Sequence, residues 1–108
     1  MEISPTLIKK KDNGKYLLIH FDDNSKYNIS SELLRVESPS ADVQGHGGPK
    51  IIVRNKENVL IDQIEPVGNY AIRIIFSDNH SSGIYSWGLL YDFGNNHDKF
   101  LQEYYNSL

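Results

Sequence analysis

Apolar and polar positions alternate with a period of two through much of this chain, and that period predicts strands. Over residues 70–77, Tyr70, Ile72, Ile74 and Phe76 interleave with Ala71, Arg73, Ile75 and Ser77, so one face of a pleated strand is continuously apolar. Leu17, Ile19 and Phe21 share a face in the same way over residues 16–21. Further strands are predicted over residues 3–11, 26–29, 51–53 and 59–64. Polar turns separate them. Asp12-Asn13-Gly14 places Asn-Gly at the centre of a two-residue type I′ hairpin, because both residues accept positive φ. Asp22-Asp23-Asn24-Ser25, Pro66-Val67-Gly68-Asn69 and Ser77-Asp78-Asn79-His80 supply the other reversals.

Helical spacing appears in three places. Ser30 or Ser31 caps a short helix through residues 32–35, with Glu32 in the first turn, and Ser38-Pro39 stops it. Trp87, Leu90 and Tyr91 follow a helical period up to Gly94, a C-terminal cap. Asn96 or His97 opens a last helix, whose Phe100, Leu101, Tyr104, Tyr105 and Leu108 form an apolar stripe. Between the first helix and the strand at 51–53, SPSADVQGHGGPK suits neither helix nor strand and reads as a long loop. The order is therefore β-β-β-α-loop-β-β-β-α-α. This is an α+β fold, a mainly antiparallel β-sheet with a short helix after the third strand and two C-terminal helices packed on the sheet. Residues 1–108 form a single domain.

Composition narrows the function. No apolar run approaches a membrane span, and MEISPTLIKKK lacks the apolar segment of a secretory signal, so the expectation is a cytoplasmic protein without membrane contact. A net charge of −3 argues against binding nucleic acid through bulk phosphate attraction, and Lys9-Lys10-Lys11 reads as a solvated strand end. The chain has no cysteine, which removes disulfides, thiolate nucleophiles and every Cys-based metal site.

Four readings of candidate chemistry follow. His80 is a turn histidine hydrogen-bonded to the Ser-Pro-Ser segment; the sharper rival is a hard N/O site for iron or another divalent ion from His80, Asp78, His46 and Asp42. The Gly-rich 38–49 loop could cradle an anion, but GHGGPK lacks the P-loop pattern. Catalysis finds no support in spacing, since Asp22-Asp23 and Glu57/Asp62 read as solvated turn or strand-end residues. The aromatic group Tyr85, Trp87, Tyr91, Phe93, Phe100, Tyr104 and Tyr105 reads as helix-sheet core.

LLRVESPSADVQGHG (33–47) and IEPVGNYAIRIIFSDNHSSGIYSWGLLYDFG (64–94) resemble the signature segments of the gamma-butyrobetaine hydroxylase-like N-terminal domain family, formerly a domain of unknown function. The family includes small stand-alone bacterial proteins, N-terminal domains of 2-oxoglutarate-dependent carnitine-biosynthesis dioxygenases, and domains attached to iron–sulfur-carrying P-loop ATPases. In the dioxygenases a structural zinc is held by three cysteines and a histidine. Those positions fall here on Ser38, Ser40, Val43 and His80, so the resemblance implies that the zinc site is lost and that no cofactor is bound. The iron and 2-oxoglutarate ligands lie in a domain for which 108 residues leave no room, so no enzyme activity is expected. The leading expectation is a non-enzymatic binding or adaptor domain, a monomer or weak homodimer that meets a protein partner from iron–sulfur or metal-dependent metabolism. Its surface would be Arg35, Ser38, Ser40, Gln44, His46 and His80. The rivals are an iron- or zinc-binding protein and an accessory subunit of a metabolic enzyme.

Overall fold

In the computed structural model, which describes residues 2–45 and 48–108, burial along strand β2 (Tyr16–Phe21) alternates without a break: Leu17, Ile19 and Phe21 are enclosed while Tyr16, Leu18 and His20 face outward. Strand β1 (Pro5–Lys11) and strand β3 (Lys26–Ser30) flank β2 antiparallel on either side. A second antiparallel sheet pairs β4 (Ile61–Val67), β5 (Ala71–Phe76) and β6 (Ile84–Ser86) in that order. The expected antiparallel sheet is thus two three-stranded sheets. Both bury one face into a shared core with Ile29, Ile61, Ile72, Ile74, Phe76 and Tyr85.

Among the described residues the α-helices are α1 (Ser31–Val36), α2 (Ala41–Gln44), α3 (Trp87–Asn95) and α4 (His97–Asn106). Ser30 Oγ accepts from the Leu33 amide to cap α1, and Ser86 Oγ caps α3 through the Leu89 amide. Leu33 and Leu34 of α1 and Leu90 and Phe93 of α3 close the core. The Tyr104 hydroxyl ties α4 to the Val53 carbonyl, and the Tyr105 hydroxyl bonds Glu32 of α1.

Several sequence expectations change. Residues 41–44, read as part of a long loop, form α2, where the Gln44 and Gly45 amides bond back to the Ser40 and Ala41 carbonyls, and Gly94, read as a C-terminal cap, lies inside α3. Residues 51–53 form no strand; the Ile51 amide is bonded to the Val43 carbonyl, and Ile51 and Ile52 are exposed. Residues 84–86, which the alternation pattern assigns to no strand, form the third strand of the second sheet. The first hairpin closes Lys11 against Tyr16 around four residues rather than two, because Asp12 joins Asn13 and Gly14 at positive φ. Tyr70 sits exposed in the β4–β5 turn, leaving Ile72, Ile74 and Phe76 as the buried face of β5.

Candidate functional site

Two turns bring the site together. After α1, the Glu37 amide bonds back to Leu33 and the chain leaves the helix at Ser38-Pro39. After β5, the turn through Asn79, which holds positive φ, closes with the Phe76 amide donating to the His80 carbonyl. The His80 ring then meets the serine segment. Its Nε2 lies 2.9 Å from Ser38 Oγ and 3.3 Å from Ser40 Oγ, and the two hydroxyls are 3.3 Å apart. All three residues are buried. Ser40 stands at the N-cap of α2 but makes no side-chain cap, since its hydroxyl is spent on this triangle.

Three features hold the triangle in place. Gln44 Nε2 donates to the Ser38 carbonyl at 2.9 Å, folding α2 back over the serines. Gly83 packs where any Cβ would overlap Ser38 Oγ and press on Pro39 and the Tyr85 ring. The Tyr85 hydroxyl donates to the Leu34 carbonyl at 2.5 Å, and burial pushes its phenol well above the usual range. Beside the triangle, Asp78 Oδ2 accepts from Arg35 Nε at 2.9 Å and Lys56 Nζ at 2.7 Å, while Oδ1 accepts from the His80 amide at 3.2 Å.

Partial burial pushes the Asp78 carboxyl upward, but bonds from Lys56, Arg35 and the His80 amide outweigh it and hold the group at about 2. His80 moves down, chiefly by burial and then by the Arg35 charge, so its ring is neutral at pH 7. Below about pH 6.5 the unfolded chain therefore binds a proton that folded His80 resists, and stability falls as pH drops. Asp78 adds a second loss between about pH 4 and about 2, because its folded carboxylate must be protonated there. Thermal melts of wild type should thus decline from pH 7 to 5. His80→Asn, which keeps a polar partner for the serines but does not titrate, should flatten that interval; an unchanged slope would remove His80 as its source.

The chemistry of these donors is limited. Ser38 Oγ beside a histidine looks like a nucleophile and its base, yet Ser38 is 0% exposed and Asp78 bonds the His80 backbone rather than its ring. The residues do not fit zinc either. Neutral hydroxyls and the buried Val43 are poor ligands for it, and donors sharing a zinc at about 2.0–2.3 Å stand about 3.3–3.8 Å apart, wider than the 2.9 Å here. Among the described residues no group of three His, Cys, Asp or Glu side chains could hold an ion.

The structure thus joins Arg35, Ser38, Ser40, Gln44, Asp78 and His80, while Asp42 lies exposed on α2. His46 lies outside the described residues. Sequence reasoning missed three contributors, Lys56, Gly83 and Tyr85. It also missed a cleft of about 320 Å³ beside the serine segment, where Glu37, Pro39 and Gln44 face Leu89 and Phe93 of α3 and Phe100 of α4. The recurring helical spacing of those three apolar residues was its only sequence signal.

Comparison with known proteins adds a family. The model described as gamma-butyrobetaine hydroxylase-like, N-terminal, matches residues 8–91. One NMR solution structure is 43% identical, with a TM-score of 0.84, over 99% of this chain and 80% of its own. A second NMR solution structure is 36% identical, with a TM-score of 0.83, over 97% and 83%. A crystal structure of a protein of unknown function in the DUF971 family from Acidithiobacillus ferrooxidans is 32% identical, with a TM-score of 0.68, over 81% and 88%. No curated protein matches the chain.

Proposed function

Since the chain belongs to the gamma-butyrobetaine hydroxylase-like N-terminal domain family, we propose that it is a non-enzymatic binding module whose working surface is α2 and the cleft beside it. The observation that carries this reading is the buried Ser38-Ser40-His80 triangle. α2 adds only Val43 to the buried apolar residues, yet a set of buried polar groups is spent on pinning this four-residue helix to the far turn. A segment held that firmly on a rigid scaffold, with Ala41, Asp42 and Gln44 exposed, is suited to presenting a surface.

Arg35, Ser38, Ser40 and His80 act in this reading as the anchor, and the contacts fall to Gln44, Pro39 and the apolar wall of Leu89 and Phe100. The occupant is a protein segment with an apolar anchor residue, and family resemblance points to partners in iron–sulfur or metal-dependent metabolism. Triple replacement of cysteine positions by Ser38, Ser40 and Val43 supports the view that hydrogen bonding here performs the tethering that a metal performs in relatives.

The test is affinity capture with wild type and with Asp92→Arg, an exposed cleft residue outside the network that anchors α2. The expected result is loss of a specific partner at unchanged melting temperature. An identical partner set with both proteins would remove the cleft from consideration.

A further inference from the structure

Gly14 packs against the Ile61 carbonyl so closely that no side chain fits there, and the residue before it is Asn13. Asn-Gly suits this turn because both residues accept positive φ, and Asn13 holds φ 59° and ψ 32°. The same dipeptide is chemically reactive. A glycine amide nitrogen has no side chain beside it to shield it, so it can attack the carboxamide of a preceding asparagine. Asn13 is exposed, and no other asparagine of the chain precedes a glycine. Asn24, Asn55 and Asn79 also hold positive φ, but Ser25, Lys56 and His80 follow them.

The native turn holds this reaction off. Ring closure needs the Gly14 nitrogen on the same side of the Cα–C bond as Asn13 Cβ, which sets ψ near about −120°, outside the well-populated regions for an L residue. At ψ 32° that nitrogen stands nearly opposite Cβ, so roughly 150° of rotation must precede attack. Gly14 is buried against Ile61, and Lys11 pairs with Tyr16 across the turn. The rotation therefore requires the turn to come away from the second sheet.

We propose that Asn13 is a site of spontaneous deamidation and isoaspartate formation, and that it converts an opening of the β1–β2 turn into a permanent lesion. The Gly14 nitrogen gives its proton to hydroxide and bonds Asn13 Cγ. The bond from Cγ to the side-chain nitrogen breaks, and that nitrogen takes a proton from water and leaves as ammonia. Water then opens the five-membered imide. Addition at Cγ gives aspartate, whereas addition at the main-chain carbonyl gives isoaspartate, in which the chain runs through Cβ and Cγ. Nothing is oxidised or reduced. Isoaspartate lengthens the link into Gly14 by one backbone atom, at a residue with no room to move toward Ile61. The turn then cannot reseat on β4. None of these residues belongs to the α2 site, so the proposal stands or falls independently of it.

The experiment follows wild type and a capped peptide of residues 11–15 side by side in mildly alkaline buffer, with and without urea, and maps deamidation and isoaspartate by mass spectrometry. The expected result is that Asn13 deamidates before any other site, at least about tenfold more slowly in the folded chain than in the peptide, and at the peptide's rate in urea. The separated isoaspartate form should melt well below wild type. Asn13→Asp, which keeps the backbone length and tolerates the left-handed conformation, should melt close to wild type. Equal rates in the folded chain and the peptide, earlier deamidation elsewhere, or an isoaspartate form as stable as wild type would each overturn the proposal.

Discussion

A variant with cysteine in place of Ser38, Ser40 and Val43 is expected to purify with one equivalent of zinc and to melt at a higher temperature with the metal than after chelation. The geometry is nearly in place, because two of the three positions already converge on His80 Nε2 at 2.9 and 3.3 Å. Sulfur is larger than oxygen, so the donors would spread toward the separations that zinc requires, and α2 is short enough to shift with them. Three thiolates and an imidazole form a closed tetrahedral set of the kind that contributes about 10–16 kcal/mol to structural zinc peptides at neutral pH. Elemental analysis and the visible spectrum of the cobalt-substituted variant would report ligand number and kind. Metal content below about a tenth of an equivalent, with the variant folded by NMR, would show that the triangle is not the remnant of a coordination site. The single variants Ser38→Ala and Ser40→Ala should each cost about 1–3 kcal/mol without any metal, since each leaves buried polar groups unpaired.

The second large effect is expected at Gly14. It holds φ +91° in the turn between β1 and β2, and a Cβ there would run into the Ile61 carbonyl, which is backbone and cannot swing aside. Ile61 opens β4, so this turn of the first sheet packs directly against the backbone of the second. Gly14→Ala combines left-handed strain with separation of the sheets, and a loss of about 3–5 kcal/mol is expected, enough to leave much of the chain unfolded. Gly88 provides the comparison. It lies in the first turn of α3 with open space where its Cβ would stand, and Gly88→Ala should be neutral or stabilising by up to about 1 kcal/mol. Equal melting temperatures for the two alanine variants would contradict this account of the sheet contact.

Much of the architecture was legible because local and global preferences agree. The alternation in residues 16–21 matches the burial of Leu17, Ile19 and Phe21, and the serines before Glu32 and Trp87 cap the helices that follow. What failed was short and context-dependent. Ile51-Ile52-Val53 has the composition of a strand, but its backbone bonds go elsewhere, the Ile51 amide to the Val43 carbonyl and the Val53 carbonyl to the Tyr104 hydroxyl. Ile84-Tyr85-Ser86 has only three residues with which to signal, and becomes a strand through pairing with β5. The candidate site was legible in part. Ser38, Ser40 and His80 were singled out through resemblance, and spacing alone gives no reason for residues forty positions apart to meet. Lys56 and Gly83 were illegible, since a lone lysine in a polar stretch and a glycine after two serines carry no pattern.

Trp87 is the single tryptophan of the chain, and its indole Nε1 donates to the Asn69 carbonyl at 2.9 Å, joining the start of α3 to the β4–β5 turn. Its emission is consequently a built-in optical gauge of that joint. Its indole resonance, alone in its spectral region, gives every titration an internal reference on the second sheet.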